Sequence, residues 1–564
     1  MLAYIRIFVF FLVYILTLGN VLAFERVEVL LDRSIITSGE SLHGDAYVLG
    51  SNHQLQYGFN SVYVDLVNRD GQSVYGGVFP SKNGFCPFSI KVSHKWSEGE
   101  YNVRAYTLGS IKRFPDNYSQ YGIIIRNGLK TPDTRPKFLM QSSEIDALGG
   151  EAQVRFDKQV YARRDQVEVA ISLKSSAGKP LDGKFTVSVV ESGILPEFNK
   201  ESRVLNNEHK TVGVENKKEK NGNTINVSGL ATDPNGKPLR LFFITFFDPM
   251  GKLKNVYVRT NENGQFSLDL PPFYGERVFY AHAWQANTLV EPIIHFNKPN
   301  LAPQPFKTPN ISRKTVEAYA YDSFRRNKFE RVFGVNEVDT THFSETRILE
   351  VPDRYYRMSD YVKLYNVRDV FREIIAPTIV RKKKKKPIIK MLLLKGEGKY
   401  IVEPIFMING VLTLRSEDVL SVPLKDLRSV RIYNQAETIN KINVFFAQRG
   451  FVVLETKENY RQQAGHNKIV IKGFSETAKE EFPNYSEGSN DNGNTVPDFR
   501  PVLYRESGLT LKNGSAKIRF STSDDLGYYT VKVSGFNSVD GKFFEVRKSF
   551  RIEDSVTAEA KGTL

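Results

Sequence analysis

The residues best suited to bind a charged partner form one uninterrupted basic run: Arg381, Lys382, Lys383, Lys384, Lys385 and Lys386. Adjacent cations in this number cannot all be buried. The apolar segments 378–380 and 388–394 on either side predict strands, so a charged hairpin loop is the favoured interpretation. The functional alternative is a contact with the anionic headgroups of a lipid or a lipopolysaccharide, at roughly 1 kcal/mol per cation.

Catalytic chemistry requires several groups held within hydrogen-bonding reach of one another. The sequence contains no HExxH, G-x-S-x-G, Walker or paired-cysteine zinc motif. Its eight histidines are scattered, and His282, close to Trp284 in a predicted strand, is expected to be a packed core residue. We therefore predict that the protein is not an enzyme and has no catalytic residue, metal site or cofactor.

The overall charge of the chain is strongly basic, with a net charge of +15 and an isoelectric point near 9.4. Such a balance allows an acidic partner: nucleic acid, anionic lipid or lipopolysaccharide phosphate. A solvated basic surface is the simpler interpretation. The length of 564 residues allows about three to five domains.

The N-terminal residues 1–23 have the pattern of a secretory signal peptide. Arg6 supplies a positive charge, residues 7–18 are apolar, and residues 21–23 (Val-Leu-Ala) fit a cleavage site. The apolar stretch is shorter than the about 20 residues of a membrane-spanning helix, and an uncleaved anchor is the alternative. We predict an exported protein, periplasmic or associated with the outer membrane, and no nucleic-acid partner.

The number and position of cysteines limit the kinds of exported protein that this chain could be. Cys86 is the single cysteine, so a disulfide within the chain is excluded. Phe24 follows the predicted signal where a bacterial lipoprotein would need a cysteine, so we predict that the protein is not a lipoprotein. A lone thiol in an exported protein is expected to be a buried apolar residue.

Short alternating strands separated by turns predict a β-sandwich in the N-terminal part of the chain. Residues 61–67 alternate between apolar and polar, residues 68–71 (Asn-Arg-Asp-Gly) predict a turn, and residues 73–78 continue as a strand. The patterns D-R-x5-G-E at residues 32–40 and G-E-Y-N-V-R-A-Y-T at residues 99–107 resemble the first macroglobulin domain of the alpha-2-macroglobulin superfamily.

A second macroglobulin-like unit is indicated by F-D-K-Q-V-Y at residues 156–161, because this pattern resembles one that recurs in the same superfamily. Two such units form an imperfect internal repeat, which is typical of an array. The thioester with which that superfamily traps proteases needs Cys-Gly-Glu-Gln. Here Cys86 stands in Gly-Phe-Cys-Pro-Phe, so we expect the sandwiches without the thioester chemistry.

Residues 224–297 resemble the regulatory, transthyretin-like domain of carboxypeptidases, which usually serves as a structural spacer. Predicted strands flank two turns, Asp-Pro-Asn-Gly at residues 233–236 and Asn-Glu-Asn-Gly at residues 261–264. Their Asp and Asn side chains offer oxygen ligands for calcium, but turn chemistry explains them more simply. We therefore predict no metal here.

Residues 404–457 predict a small α+β module. A strand at 405–408 ends in Asn409-Gly410, a turn dipeptide, an amphipathic segment follows, and residues 427–432 and 451–454 are further strands. This order resembles the plug domain of TonB-dependent outer-membrane receptors. Together with D-V-F-R-E-I just upstream, it resembles gram-negative envelope proteins that join such a plug to macroglobulin-like sandwiches.

Two segments outside these modules have helical spacing. Residues 315–333 are predicted to be a helix packed on a sheet, with a docking segment as the alternative. Residues 360–375 are predicted to be a helix that leads into the plug-like module. At the far end, residues 497–554 contain strands that resemble the terminal β domain of the same envelope family.

The predicted fold class is mainly β: tandem β-sandwiches, macroglobulin-like and transthyretin-like, plus a small α+β plug-like module. The predicted boundaries are 1–23 (signal peptide), 24–128 (macroglobulin-like sandwich), 150–198 (second macroglobulin-like unit), 199–223 (polar linker), 224–297 (transthyretin-like sandwich), 360–457 (plug-like module), 486–496 (flexible linker) and 497–554 (C-terminal β domain).

These resemblances imply a non-enzymatic interaction protein of the cell envelope. It would be an accessory subunit of an outer-membrane transport, secretion or protein-assembly complex, with an outer-membrane β-barrel or another envelope protein as its partner. The alternative is a module that binds glycan or lipopolysaccharide, and the basic charge and the abundant aromatic residues favour this alternative.

Overall fold

The computed structural model describes five stretches of the chain: residues 25–129, 145–196, 224–333, 351–485 and 497–554. Short gaps within them fall at 51–53, 57, 149–150, 176–177, 182–183, 251–252, 254–255, 287, 363, 384–385, 458–459, 461–466, 479–480, 512 and 538–540. The predicted signal peptide 1–23 and the predicted linkers 199–223 and 486–496 lie outside the described residues.

The N-terminal strands follow the alternation seen in the sequence. In the fourth strand, Val62, Val64 and Leu66 are fully buried while Tyr63 and Asp65 between them are partly exposed. The elements of this region are β1 (Arg26–Leu31), β2 (Ile35–Thr37), β3 (Ser41–Leu49), β4 (Phe59–Asn68), β5 (Ser73–Lys82), β6 (Phe85–Lys91), β7 (Gly99–Tyr106), α1 (Leu108–Arg113) and β8 (Ser119–Arg126).

These strands form one eight-stranded sheet in the order β1-β3-β6-β5-β4-β7-β8-β2. The two ends of the sheet are β1 and β2, which are separated by only Asp32 to Ser34, so the sheet must curl round until its ends meet. Residues from both halves pack in a single core, among them Val29, Phe79 and Ile123. Cys86 lies fully buried in this core, which confirms the prediction for the lone thiol.

The middle of the chain supplies strands to two further sandwiches. The first group is β9 (Ile145–Leu148), β10 (Glu151–Phe156), β11 (Val160–Tyr161), β12 (Gln166–Lys174) and β13 (Lys184–Glu191), and the second is β14 (Ile225–Thr232), β15 (Phe243–Phe247), β16 (Tyr257–Arg259), β17 (Gln265–Leu270), β18 (Glu276–Gln285), β19 (Thr288–Val290) and β20 (Ile293–Phe296).

Helices are confined to the second half of the described chain, apart from α1 and a single turn of 3-10 helix, Ser192–Ile194. In order, the remaining elements are α2 (Arg313–Phe333), β21 (Arg354–Arg357), the helical turn α3 (Val367–Asp369) with the π-turn Val370–Ile374, β22 (Thr378–Lys383), β23 (Lys386–Lys395), β24 (Gly398–Val402), β25 (Ile405–Ile408), β26 (Val411–Thr413), α4 (Ser416–Leu420), β27 (Leu427–Tyr433), α5 (Ala436–Ile442), β28 (Phe451–Thr456), β29 (Lys468–Lys472), β30 (Val502–Thr510), β31 (Ser515–Ser521), β32 (Gly527–Asn537) and β33 (Lys542–Ile552).

The chain divides into two compact units, and each is built from separate stretches of sequence. Unit 1 comprises Met1–Asn223, Pro299–Val338 and Phe474–Leu564, and unit 2 comprises Thr224–Lys298 and Asp339–Gly473. With its several sheets and few helices, the described chain confirms the predicted class, mainly β with tandem sandwiches.

The second sandwich of unit 1 differs from the predicted domain division. Its sheets are β10-β12-β31 and β11-β33-β32-β13-β30, with β9 also paired to β33. Residues 150–198 and 497–554, predicted as separate domains, therefore share one fold and one core, in which Val169 and Val187 pack with Phe520 and Val531. Neither stretch alone has enough strands to cover its own apolar face.

Unit 2 pairs a sandwich with a mixed sheet. The sandwich consists of β17-β14-β20 and β16-β15-β18-β19, with β29 also paired to β18. The mixed sheet has the order β21-β27-β28-β25-β26, in which β25 and β28 are parallel, and β22-β23-β24 form a separate small sheet. The strands predicted at 405–408, 427–432 and 451–454 are confirmed as β25, β27 and β28.

The two predicted helices fare differently. The one at 315–333 is confirmed as α2, whose Ala318 and Tyr319 pack against Ile35 and Val190 from the two sandwiches of unit 1. The prediction of a helix at 360–375 is too long, because the described residues 361, 362 and 364–366 are not helical. Asn366 has extended backbone and caps the helical turn, its side chain accepting a hydrogen bond from the backbone N–H of Asp369 at 3.0 Å.

Candidate interaction site

The described members of the predicted basic run lie at the facing ends of two paired strands in unit 2. The strand β22 ends with Arg381, Lys382 and Lys383, and β23 begins at Lys386. In register, Lys383 faces Lys386 across the hairpin. The two members of the run outside the described residues are Lys384 and Lys385. A charged hairpin between two strands, predicted from the sequence, is confirmed for the described part.

Two of these cations already have carboxylate neighbours. The Lys383 Nζ lies 2.8 Å from Glu403, and the Lys386 Nζ lies 3.0 Å from Glu417. Both lysine side chains are more than half exposed, so each pair stabilises the fold by less than about 1 kcal/mol. Of the described cations in the run, Arg381 and Lys382 have no ion pair among the described residues.

A cavity of about 830 Å³ lies elsewhere in unit 2, beside β21 and the segment that follows it. We call this cavity the groove. Its apolar lining comes from β21, the loop before α3, the π-turn and the 3-10 turn Leu424–Asp426. The lining residues used below are Tyr355, Tyr361, Val362, Tyr365, Ile374 and Leu424.

The alternation of β21 explains why tyrosines face the groove. Tyr356 is buried in the unit 2 core beside its register partner Val430. Tyr355 and Arg357, one residue to either side, must then point to the opposite face of the sheet. Both line the groove, so the period of the strand places an aromatic ring and a cation there together.

The loop after β21 lies between that strand and the helical turn α3, and it exposes large side chains. Its C-terminal end is fixed by the Asn366 cap and by Val367 and Val370, which are buried in the core. Within the loop, Tyr365 is 95% exposed and Val362 is 81% exposed. Exposed patches of large side chains of this kind are typical of interaction surfaces.

Cations surround the apolar lining. The charged residues that line the groove are Arg357, Lys425, Arg428 and Lys457, with Glu455 as the single carboxylate. Glu455 already accepts hydrogen bonds from Ser429 at 2.8 Å and has an ion pair with Arg431 at 2.6 Å. Within the part of unit 2 that the structure describes, none of the four cations forms an ion pair.

These cations gather at one end of the mixed sheet. Neighbouring strands β21, β27 and β28 run antiparallel, so the end of β21, the start of β27 and the end of β28 coincide. Arg357 ends β21, Arg428 lies at the start of β27, and Lys457 follows β28. The positive charge of the groove is therefore concentrated rather than spread along the strands.

The strand β21 is also an edge of the sheet. It pairs with β27 on one side, and no other strand of the described residues pairs with it. An edge strand leaves a row of backbone N–H and C=O groups free to accept another chain.

Sequence reasoning did not find the groove. The predicted basic run does not line the groove. The helix predicted at 360–375 includes the exposed loop, so the sequence did not predict that loop. The available signal was the sequence R-Y-Y-R followed by Tyr361 and Tyr365. This is a density of aromatic and cationic residues that no helical period explains.

A second cluster of charged residues lies in unit 1, where α2 packs against the sandwiches. The guanidinium of Arg326 is 3.9 Å from Glu40, 3.7 Å from Glu191 and 3.8 Å from Asp525. The Tyr319 hydroxyl donates to Glu40 at 2.8 Å, and the ring of Tyr319 lies 5.0 Å from the Arg326 guanidinium. The charges of these groups offset one another, and the ion pairs join α2 to the sandwiches.

Burial shifts the pKa values of two carboxyl groups in this cluster. Burial raises the pKa of Glu191 to about 7, although Arg326 opposes the shift. Burial likewise raises the pKa of Asp525 to about 6, opposed by Arg326 and Arg325. These two carboxyl groups therefore gain or lose a proton near pH 6 to 7, where ordinary carboxyl groups are already ionised.

The other residues singled out from the sequence have structural roles. His282 is fully buried, with its Nε2 3.3 Å from Asn467, and burial lowers its pKa to about 3. The carboxylate of Asp233 accepts from the backbone N–H groups of Asn235 and Lys237 at 2.9 Å, as turn chemistry predicts. Among the described residues, no group of His, Cys, Asp and Glu side chains is arranged to hold a metal ion.

Helices in the described stretches include none with the length and apolar character that crossing a bilayer requires.

Comparison with known proteins gives distant structural neighbours. No family model matches the chain, and no curated protein matches it significantly. One solved structure is alpha-2-macroglobulin from Escherichia coli activated by porcine elastase: 10% identity, TM-score 0.25, covering 94% of this chain and 44% of that one. The trypsin-activated form gives 10% identity and a TM-score of 0.16, covering 96% of this chain and 24% of that one.

Adhesin domains are a second kind of neighbour. The Escherichia coli adhesin FdeC shares 13% identity with a TM-score of 0.14, covering 49% of this chain and 64% of that one. The chain spans less than half the length of the alpha-2-macroglobulin structures that it matches. The neighbours are thus bacterial macroglobulin and adhesin domains, and the TM-scores are too low to carry any residue's role to this chain.

Proposed function

We propose that the chain is a non-catalytic interaction protein of the cell envelope, an accessory subunit of an outer-membrane transport, secretion or protein-assembly complex. In this proposal residues 360–457, together with β21 and the turn that follows it, are the plug-like module that meets the partner. Residues 224–297 are the transthyretin-like spacer that carries this module. The partner is an outer-membrane β-barrel or another envelope protein.

The observation that carries this proposal is the groove. A volume of about 830 Å³ is within the range of binding sites. Interface hot spots are enriched in Tyr, Trp and Arg set in such pockets, and here Tyr355, Tyr361 and Tyr365 lie beside Arg357 and Arg428. This composition supports binding to another protein better than catalysis, for which the groove offers Glu455 as its only acid–base carboxylate, already paired.

The experiment is affinity purification of the tagged full-length protein from detergent-solubilised envelopes, with mass spectrometry of what is retained. A Tyr365→Ala/Val362→Ser variant is purified in parallel. We expect a stoichiometric outer-membrane or envelope protein with the wild type and its loss with the variant, because the exposed side chains are the contact surface.

The matched control is Tyr400→Ala. Tyr400 is 53% exposed on β24, outside the groove, so its removal is expected to leave the partner bound. Retention of the same partner by the groove variant, or recovery of the protein alone in the soluble periplasmic fraction, would argue against the accessory-subunit function. Cytoplasmic recovery of the uncut chain would argue against export.

The second candidate, a module that binds lipopolysaccharide or another anionic glycolipid, is supported by the hairpin that carries the run Arg381–Lys386. Its test is cosedimentation with lipopolysaccharide micelles at rising salt. Arg381→Glu/Lys382→Glu is expected to weaken binding, while Lys395→Glu/Lys399→Glu, in the β23–β24 hairpin, leaves it unchanged. Salt-independent binding, or equal loss in both variants, would remove this candidate.

A further inference from the structure

We propose that the occupant of the groove is an extended acidic segment of the partner protein, which adds to the free edge of β21 as a further strand. This inference rests on the proposed protein-binding function and names the chemistry of the partner. It joins three observations from β21 and the strands beside it: an unpaired strand edge, four cations without an ion pair among the described residues, and exposed aromatic side chains.

The strand edge supplies the backbone interaction. Strand β21 is the outermost strand of its sheet, and its second edge has no strand partner among the described residues. In an extended strand alternate residues direct N–H and C=O outward, so about two of the four residues of β21 are free to pair. An incoming peptide in extended conformation satisfies these groups.

The cations select the charge of that peptide. Arg357, Lys425, Arg428 and Lys457 line the groove without an ion pair among the described residues, and the single carboxylate Glu455 is held by Arg431. A basic peptide would be repelled and a neutral one would leave these charges unused. Carboxylates on the peptide complement them, and Arg357 and Arg428 can each bind a carboxylate bidentately.

The aromatic side chains select for apolar residues on the same face of the peptide as the acidic ones. Side chains of an added strand alternate between the two faces of the sheet. Those directed toward the groove meet Tyr355 and, beyond it, the exposed Val362 and Tyr365. The expected motif therefore has acidic and apolar or aromatic residues two positions apart, so that both kinds face the groove. A lipid headgroup would use the cations but has no backbone for the strand edge.

The test uses the purified full-length protein as bait for a library of random peptides of about ten residues, the length of a long strand. We expect enrichment of peptides with negative net charge in which acidic and apolar residues stand two positions apart, on one face of the strand. A synthetic copy of the best peptide should lose affinity by on the order of ten-fold in Lys425→Glu/Arg428→Glu. It should bind Lys395→Glu/Lys399→Glu, a matched change in the β23–β24 hairpin, as it binds the wild type.

Backbone pairing has its own readout. Methylation of alternate backbone nitrogens in the peptide should abolish binding when the methylated nitrogens are those that pair with β21. Methylation of the other set of nitrogens should leave binding intact. Hydrogen exchange of the backbone amides of residues 354–357 should slow in the complex. Enrichment of basic or neutral peptides, no enrichment at all, or indifference to methylation in both registers would overturn the proposal. Binding of phosphatidylglycerol vesicles that is lost in Lys425→Glu/Arg428→Glu would also overturn it by assigning the groove to lipid.

Failure of this inference is distinguishable from failure of the proposed function. If the library yields nothing while Tyr365→Ala/Val362→Ser still loses an identified envelope partner, the interaction function stands and the acidic strand is wrong. If no partner is recovered, or if the Tyr365→Ala/Val362→Ser variant retains the same partner as the wild type, the proposed function itself is wrong.

Discussion

The Arg326 guanidinium lies 3.7 Å from the Glu191 carboxylate, and the two side chains belong to different parts of unit 1, the helix α2 and the end of β13. Glu40 and Asp525 approach the same guanidinium from the first and second sandwiches. One cation thus neutralises carboxylates from three segments that are remote in sequence. The stability of unit 1 should depend on it.

Replacement of Arg326 by Met is expected to destabilise unit 1 by about 3–5 kcal/mol, because Glu191 is left buried without another ion-pair partner among the described residues. Glu40 and Asp525 retain Arg33 and Arg325. The Arg326 side chain is 6% exposed, so water cannot compensate. Hydrogen exchange of β13 amides measures the change. The control, Arg313→Met on the same helix, removes a side chain that is 92% exposed and should cost less than about 1 kcal/mol. Equal effects would contradict a special role for Arg326.

Glu191 makes the stability of unit 1 depend on pH. Its pKa in the folded protein, raised to about 7 by burial, exceeds the ordinary value of about 4.3 that it regains on unfolding. The folded state therefore binds a proton more readily. The contribution of Glu191 is fully present below about pH 4.3 and is lost as the pH rises through 7.

Glu191→Gln is expected to flatten this slope between pH 5 and 7 and to be at least as stable as the wild type at pH 8, by up to about 3 kcal/mol. Gln mimics the protonated carboxyl and has no charge to desolvate. The free energy of unfolding is measured by denaturant titration across the pH range, and hydrogen exchange of the β13 amides reports the same change locally. The exposed Glu481→Gln should retain the wild-type slope, and an unchanged slope in Glu191→Gln would show that other groups produce it.

Asn366 positions the exposed loop of the groove through its cap on α3. Asn366→Ala removes the acceptor that lies 3.0 Å from the Asp369 N–H and should destabilise the turn by about 1 kcal/mol. We expect faster hydrogen exchange at residues 367–371 and weaker binding of the selected peptide. Asn366→Asp, which retains a capping oxygen, should preserve both; if it behaves like the alanine variant, the cap is not what orders the loop.

Gly514 stands where the turn between β30 and β31 closes on the second sandwich. Its φ of +69° disfavours a side chain, and a Cβ would lie 2.5 Å from the backbone oxygen of Leu173. Gly514→Ala should therefore cost more than the about 1 kcal/mol of backbone strain alone. Gly178, with φ of +73° and open space around it, is the matched control. Calorimetric unfolding of Gly514→Ala and Gly178→Ala measures the loss of stability in each. The difference is the cost of the steric clash at residue 514, and equal losses would show that there is no such cost.

Local patterns predicted the elements whose burial follows their own period. Residues 405–408 and 427–432 are strands because their apolar side chains alternate or are wholly buried, and Cys86 is buried as a lone thiol should be. The cap at Asn366 was also available in the sequence. It was overlooked because the apolar spacing of residues 367–375 was extended backwards across it.

Long-range pairing could not be predicted in the same way. Nothing in residues 166–174 indicates that β31 is their neighbour, since strand partners are chosen by shape and register. The groove depends on the same information: Tyr355 and Tyr356 are identical in type, and only the sheet decides that one is buried and the other faces the cavity. The four cations are likewise dispersed along the sequence and meet only in the fold.

The second sandwich of unit 1 is completed by strands that are synthesised very late. The hydroxyls of Ser192 and Thr530 meet 2.7 Å apart although 338 positions separate them in sequence. While the ribosome makes the intervening residues, β10 to β13 have no partners for their apolar faces and remain exposed to aggregation or to a chaperone. Unit 2, inserted between the halves, can fold first. We therefore expect its assembly to precede closure of the sandwich, with the last strands as the slow, rate-limiting step.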